Sequence, residues 1–165
     1  MYLGQQTCMP PTRSILPVIV IAQFFCTTLW FGGNAVLADL SAHLNLPSAA
    51  LGSITSAVQF GFISGTLLYA ILNITDRYKP SLVFFSSAVA ASLSNAAIVI
   101  SNDYYFILLL RFSTGFFLAG IYPVGMKIAA DYYDKGLGKA LGFLVGALVL
   151  GTAFPHLLKS FSVTL

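Results

Sequence analysis

Glutamate is absent from the 165 residues, and charged residues of all kinds make up only 8% of them. Soluble domains carry about 25% charged residues, so this composition excludes an ordinary water-soluble fold. Cysteine and histidine occur twice each, without the spacing that holds a metal ion. The net charge of +3 rests on too few charges to form a nucleic-acid footprint. We therefore expect no metal, no cofactor and no nucleic-acid partner, and a place in the lipid bilayer.

Apolar runs fill most of the chain, and each is long enough for the roughly 20 helical residues that cross the hydrocarbon core. Short segments that carry charges or helix breakers separate the runs. The sequence predicts an all-α membrane bundle over residues 15–159, between a tail at 1–14 and a short remnant at 160–165. Its five transmembrane helices are expected at about 15–40, 49–74, 81–101, 104–130 and 137–158.

The basic residues predict the orientation of these helices. With the amino terminus in the cytoplasm, only Lys159 falls on the outer side, and Arg111 falls within the membrane. The cytoplasmic side then holds Arg13, Arg77, Lys79, Lys127, Lys135 and Lys139. This bias follows the positive-inside rule, so we expect a multi-pass protein of the cell membrane with a cytoplasmic tail at 1–14.

Arg111 stands out because a charge within the hydrocarbon is costly and marks a functional site by default. At a rise of 1.5 Å per residue, Asn34 and Asn95 come to about the same depth, roughly 6–8 Å below the outer surface. Gln59 and Trp30 come slightly deeper. These groups either line a polar cavity or bond to one another and hold the bundle together. The presence of Arg111 favours the cavity.

The first helix carries a polar stripe, since Gln23, Thr27, Trp30 and Asn34 recur at spacings of four, three and four. Small residues form other faces that let helix backbones approach closely. Gly61 and Gly65 lie on the second helix, opposite Gln59. The fifth helix carries Gly138, Gly142, Gly146 and Gly151, with Pro155 expected as a local break.

Two motifs resemble the major facilitator superfamily of transporters. The loop Asn73–Pro80 is similar to the Gly-x-x-x-Asp-Arg-x-Gly-Arg-Arg loop of that family and keeps Asp76 and Arg77. It departs at Leu72 and Lys79-Pro80. The fourth helix has the family's Arg-x-x-x-Gly pattern, followed by further small and breaking residues: Arg111, Gly115, Gly120 and Pro123. The glycine-rich fifth helix is also similar, although it lacks the family's Gly-Pro pair.

The resemblance implies a partial six-helix half of a twelve-helix transporter, namely five helices of its amino-terminal part. It also implies a conformational switch in the cytoplasmic charges, with Asp76 and Arg77 in the loop and Asp131 as a third member. Ordinary interfacial charge is the alternative explanation of these residues. Because five helices are fewer than one half, the chain is expected to be a truncated portion or an unusually short relative.

These observations favour a secondary active transporter of a small solute over an enzyme, for which the sequence offers no catalytic constellation. The alternative is a non-transporting membrane subunit that packs against partner helices. The expected partners are the bilayer, the solute, and either the missing carboxy-terminal helices or another subunit. The predicted substrate-binding residues are Arg111, Asn34, Gln59, Trp30 and Tyr122.

Overall fold

The structure, a computed structural model, describes the backbone of residues 15–43, 47–133 and 136–162, and their side chains except at 33–43, 48 and 162. The described regular elements are helical. In chain order they are α1 (Ile15–His43), α2 (Ser48–Ile71), α3 (Ile74–Arg77), α4 (Pro80–Ala97), a 3₁₀ turn (Ile98–Ile100), α5 (Tyr104–Leu118), α6 (Tyr122–Tyr132) and α7 (Leu137–Ser162). The predicted tail at 1–14 lies outside the described residues.

Five stretches of these helices are long and apolar enough to cross a membrane. They are Ile15–Gly32, Ala49–Ile71, Pro80–Ile100, Tyr104–Tyr132 and Leu137–Phe161. Short connections join them, so consecutive spans run in opposite directions. The predicted all-α membrane bundle of five spans is confirmed.

Glycines bring α2 and α5 into backbone contact. A Cβ atom added at Gly61 would lie 2.9 Å from the carbonyl carbon of Phe112, and one at Gly115 would lie 2.8 Å from that of Val58. Real Cβ atoms do not approach backbone this closely, so only glycine fits at either position. Gly65 makes the next contact along the crossing, against Phe116 and Ala119. The close-packing face predicted at Gly61 and Gly65 is therefore confirmed.

The fourth span is not the continuous helix that its apolar run predicts. It consists of α5 and α6, separated by the turn at 119–121. Pro123 has no N–H for the carbonyl of Ala119, and its ring crowds that carbonyl, so the helix breaks one turn before the proline. Gly120 sits in the turn against the hydroxyl of Ser87 on α4, which is 2.9 Å from the hydroxyl of Tyr69 on α2. The break is thus packed against two neighbouring spans.

The last span, α7, packs mainly on α1 and continues through Pro155 to Ser162. The local break expected at Pro155 is absent. The glycines of α7, which were expected to pack closely, also differ in the space around them. A Cβ at Gly142 or Gly146 would meet nothing within 4 Å, whereas one at Gly151 would lie 2.8 Å from the Cβ of Thr27. The close contact between α7 and α1 is therefore made at Gly151.

Candidate functional site

A cavity of about 250 Å³ opens between α1, the break in the fourth span and α7. Its walls are mostly aromatic and aliphatic, with a few polar groups. The lining residues are Gln23, Cys26, Thr27, Trp30, Phe31, Phe62, Leu118, Ile121, Tyr122, Leu148 and Thr152. Among the described residues this lining contains no charged side chain. An apolar concavity with a small number of convergent polar groups is the usual form of a small-molecule site.

The helical repeat of α1 explains one wall of the cavity. Gln23, Cys26, Thr27 and Trp30 follow one another at spacings of three, one and three, so they share one face. The ring of Trp30 meets the ring of Phe62 on α2 edge to face, with centroids 5.2 Å apart. The opposite wall comes from the turn at 119–121, because the break in the helix brings Ile121 and Tyr122 to the cavity.

Gln23 and Thr27 form a hydrogen-bonded pair in the polar part of this wall. The Nε2 amide of Gln23 donates to the Thr27 hydroxyl oxygen at 3.3 Å. That hydroxyl donates in turn to the backbone carbonyl of Gln23 at 2.8 Å. Gln23 is 2% exposed, and its Oε1 atom has no hydrogen-bond partner within the described part of the chain. The sequence placed both residues on the polar stripe without assigning either one to the site.

Arg111 is fully buried on α5 and lies outside the lining of the cavity. Its Nη2 donates to the backbone carbonyl of Trp30 on α1 at 3.2 Å, and its Nη1 donates to Oδ1 of Asn95 on α4 at 3.5 Å. The guanidinium therefore links α5 to α1 and α4. It lies behind Trp30, which lines the cavity. The Trp30 carbonyl and the Asn95 amide oxygen are both acceptors, as the donor-only guanidinium requires.

The structure brings together some of the residues predicted to bind substrate. Trp30 and Tyr122 line the same cavity, and Arg111 holds the backbone of Trp30. Gln59 is exposed on α2, away from the buried face of that helix that meets α5. Asn34 belongs to α1, but its side chain lies outside the described residues.

At the opposite end of the fourth span, the Lys127 ammonium group on α6 donates to a carboxylate oxygen of Asp76 on α3. The sequence named Asp76 for a switch, but it counted Lys127 only among the basic residues of the cytoplasmic side. Arg77 is exposed beside this pair. Asp131, one turn beyond Lys127, lines a second cavity of about 500 Å³ together with Lys79. The three predicted switch residues thus lie at one end of the bundle.

Two curated proteins are similar to this chain, and both are named as transporters. A protein of Haemophilus influenzae whose name describes it as a metabolite transport protein is 26% identical over 132 residues, covering 74% of this chain and 32% of the relative. The niacin transporter NiaP of Acinetobacter baylyi is 28% identical over 158 residues, covering 82% of this chain and 36% of the relative. The chain thus spans about a third of the length of these relatives. No solved structure matches significantly.

The family comparison agrees with the bundle of five membrane spans. The sequence model of the major facilitator superfamily matches residues 19–160, which include all five membrane spans apart from the first turn of α1 and the end of α7. A match of this extent covers most of the chain, and the chain belongs to the major facilitator superfamily.

Proposed function

We propose that the chain is the amino-terminal portion of a secondary active transporter and that the cavity between α1, the break in the fourth span and α7 binds its solute. The observation that carries this proposal is the juxtaposition of Trp30 and Tyr122 in one apolar cavity, directly in front of a buried arginine. Intramembrane charges mark substrate or ion pathways by default. The names of the two relatives support a small organic metabolite as the solute.

The proposed roles differ between residues. Trp30 and Tyr122 contact the solute directly, because both line the cavity. Arg111 either reaches an anionic group of the solute or exchanges its bond to the Trp30 carbonyl for one to the solute. Asn34 extends the site along α1. Gln59 acts from the exposed face of α2, where a further helix of the transporter would cover it.

The remaining half of the transporter would close this cavity from the other side. Family members bind solute between two six-helix halves, near the middle of the membrane. The relatives are about three times as long as the part that aligns with this chain, which supports the presence of further helices in the complete transporter. We also propose a location in the cell membrane with the amino terminus in the cytoplasm, because this orientation places most of the basic residues inside.

At the cytoplasmic end, Asp76, Arg77 and Asp131 would form the switch that biases the transporter between its states. The ion pair of Asp76 with Lys127 supports this role for Asp76, because it joins the loop after α2 to the half-helix α6. Asp131 and Arg77 lie at the same end and would change partners as this end opens.

The proposal is tested by uptake measurements in cells that express the complete transporter of which this chain is proposed to be the amino-terminal portion. The probes are radiolabelled nicotinate and a panel of small organic acids and amides, compared with an empty-vector control. We expect uptake of at least one probe above background, and loss of that uptake in Trp30→Ala and Arg111→Ala. Ser92→Ala, on an exposed position of α4, is the matched control and should leave uptake unchanged.

A complete transporter that reaches the membrane but takes up no probe, or one in which Trp30→Ala and Arg111→Ala leave uptake unchanged, would contradict the proposal. It would favour the second candidate, a non-transporting subunit that packs against partner helices. One observation supports that candidate: Ser56 and Gln59 are exposed on a membrane span, where lipid offers them no hydrogen-bond partner. A chain that is monomeric in detergent and keeps its fold would count against the subunit.

A further inference from the structure

Aromatic side chains are concentrated in the lining of the cavity between α1, the break in the fourth span and α7. They supply four of its eleven lining residues, whereas aromatic residues make up 14% of the chain. Trp30 and Phe31 come from α1, Phe62 from α2 and Tyr122 from the start of α6. Each of the four is only partly buried, so each keeps accessible surface that a ring in a closed core would lose. Three helices thus bring accessible rings to one cavity.

The polar groups that α1 and α7 contribute to the lining are already bonded within their own helices. The Thr27 hydroxyl donates to the backbone carbonyl of Gln23 at 2.8 Å, and the Thr152 hydroxyl donates to that of Val149 at 2.7 Å. The Gln23 amide is buried and donates to Thr27. A hydroxyl whose proton is already bonded offers a solute only an acceptor. These polar groups therefore discriminate weakly between solutes, and the rings are the more selective part of the lining.

The rings of the lining already form aromatic pairs with one another. The ring centroids of Trp30 and Phe62 lie 5.2 Å apart with an interplanar angle of 67°, and those of Trp30 and Phe31 lie 6.1 Å apart at 25°. Both separations fall within the range of about 4.5–7 Å at which aromatic rings attract one another. A volume of about 250 Å³ is small for a ligand site, so it suits a single substituted ring. An aromatic ring placed there would join the cluster around Trp30.

We propose that the cavity selects aromatic solutes and that Trp30 and Phe62 recognise the ring of the solute. This inference rests on the proposed function for the location of the solute, but it concerns which solute binds and not whether it is transported. An aromatic ring gains electrostatic contact with these walls in addition to the apolar area that it buries. A saturated ring of the same size buries as much apolar area but has no π face. The cavity therefore selects the aromaticity of a solute and not its hydrophobicity.

The test compares benzamide with cyclohexanecarboxamide, which carry the same uncharged carboxamide group on an aromatic and on a saturated six-membered ring. The protein is the complete transporter, purified in detergent. Binding of tritiated benzamide is measured by scintillation proximity, and competition by each unlabelled compound gives its Kd. We expect the Kd of benzamide to be about three- to tenfold lower than that of cyclohexanecarboxamide.

The variants Trp30→Leu and Phe62→Leu locate this preference. Trp30→Leu keeps the backbone carbonyl that accepts from Arg111, so it removes the ring alone. In each variant the two Kd values should come within about twofold of one another, because the rise falls on benzamide. The Kd of cyclohexanecarboxamide should change little, since leucine keeps the wall apolar, and it reports that the cavity is intact. Phe85→Leu removes an exposed ring of α4 outside the cavity and should keep the full preference.

Four results would overturn the inference: equal binding of the two compounds, no binding of either, a preference that survives in Trp30→Leu or Phe62→Leu, or a preference that is lost in Phe85→Leu. A parallel loss of both affinities in the two cavity variants would also contradict it, because apolar area and not the rings would then bind the solute. Binding with the expected preference but without uptake of any probe would refute only the transport proposal. Uptake without the aromatic preference would refute only this inference.

Discussion

At the scale of single residues, Arg111 is the most costly group in the bundle. Moving a charge of this size into a low-dielectric interior carries a penalty of several kcal/mol. The guanidinium is nevertheless fully buried, with bonds to the Trp30 carbonyl and to Asn95. Its bond to the Trp30 carbonyl places this buried charge directly behind the cavity, which is where the proposed function needs it.

This argument predicts that the volume of Arg111 matters to stability more than its charge. We expect Arg111→Met to unfold within about 1 kcal/mol of the unsubstituted chain, because an apolar side chain fills the space without a desolvation penalty. Arg111→Ala leaves a void and should lose about 2–4 kcal/mol. The free energy of unfolding is measured by titration with sodium dodecyl sulfate in mixed micelles. If Arg111→Met is as unstable as Arg111→Ala, the hydrogen bonds of the guanidinium hold the fold together, contrary to this expectation.

The residues of the site could be predicted from the sequence only in part. Depth follows from helix length, so the sequence placed Trp30 and Arg111 near one another, and their hydrogen bond agrees with this. The direction that a helix face points does not follow from length. The buried face of α2 is set by Gly61 and Gly65 against α5, which leaves Gln59 exposed. The spacing of Gln23 and Thr27 was a usable signal for the cavity wall, but hydrogen bonding within one helix explains such spacing equally well.

At the scale of the elements, two devices shape the bundle: the glycine crossing of α2 with α5 and the break before α6. The number of spans follows from apolar length alone, which is why the five-span bundle could be predicted. The break in the fourth span could not be predicted from apolar length. Pro123 predicted a break in the fourth span, but Pro155 predicted a break in α7 equally well, and there the helix continues. The two prolines differ in the packing around them, because Gly120 lets the turn at 119–121 pack closely against Ser87.

The crossing of α2 with α5 predicts which glycines tolerate a methyl group. We expect Gly61→Ala and Gly115→Ala to lose about 1–3 kcal/mol or more, because the added carbon meets backbone that cannot move independently. Gly142→Ala and Gly146→Ala on α7 face open space and should lose nothing, since alanine favours a helix more than glycine does. Thermal unfolding followed by size-exclusion chromatography in detergent measures all four variants. Similar losses in both pairs would show that helix flexibility, and not close packing, governs the role of these glycines.

At the scale of the whole molecule, the two ends of the fourth span differ in how extensively they pack on neighbouring helices. The α5 end is held by the crossing with α2 and by Arg111, whereas α6 follows the break and packs less extensively on its neighbours. The ion pair of Lys127 with Asp76 ties α6 to the loop between α2 and α4. Its side chains are 33% and 64% exposed, so its contribution to stability is at most about 1 kcal/mol. A contribution of this size is too small to hold the fold but large enough to bias the position of one half-helix.

We therefore expect the ion pair to control the position of α6 without controlling stability. Spin labels at Ala130 on α6 and Leu82 on α4, both exposed, report the distance between the two helices by double electron–electron resonance. Asp76→Asn and Lys127→Gln should each broaden the distance distribution and change the population of the major distance about two- to fivefold, with the unfolding temperature nearly unchanged. The exchange Asp76→Lys with Lys127→Asp restores the attraction and should restore the distribution.

Lys139→Gln removes an exposed positive charge near the start of α7 and is the matched control. If the exchange fails to restore the distribution, or if Lys139→Gln broadens it equally, net charge at this end of the bundle and not the pairing of Asp76 with Lys127 sets the position of α6.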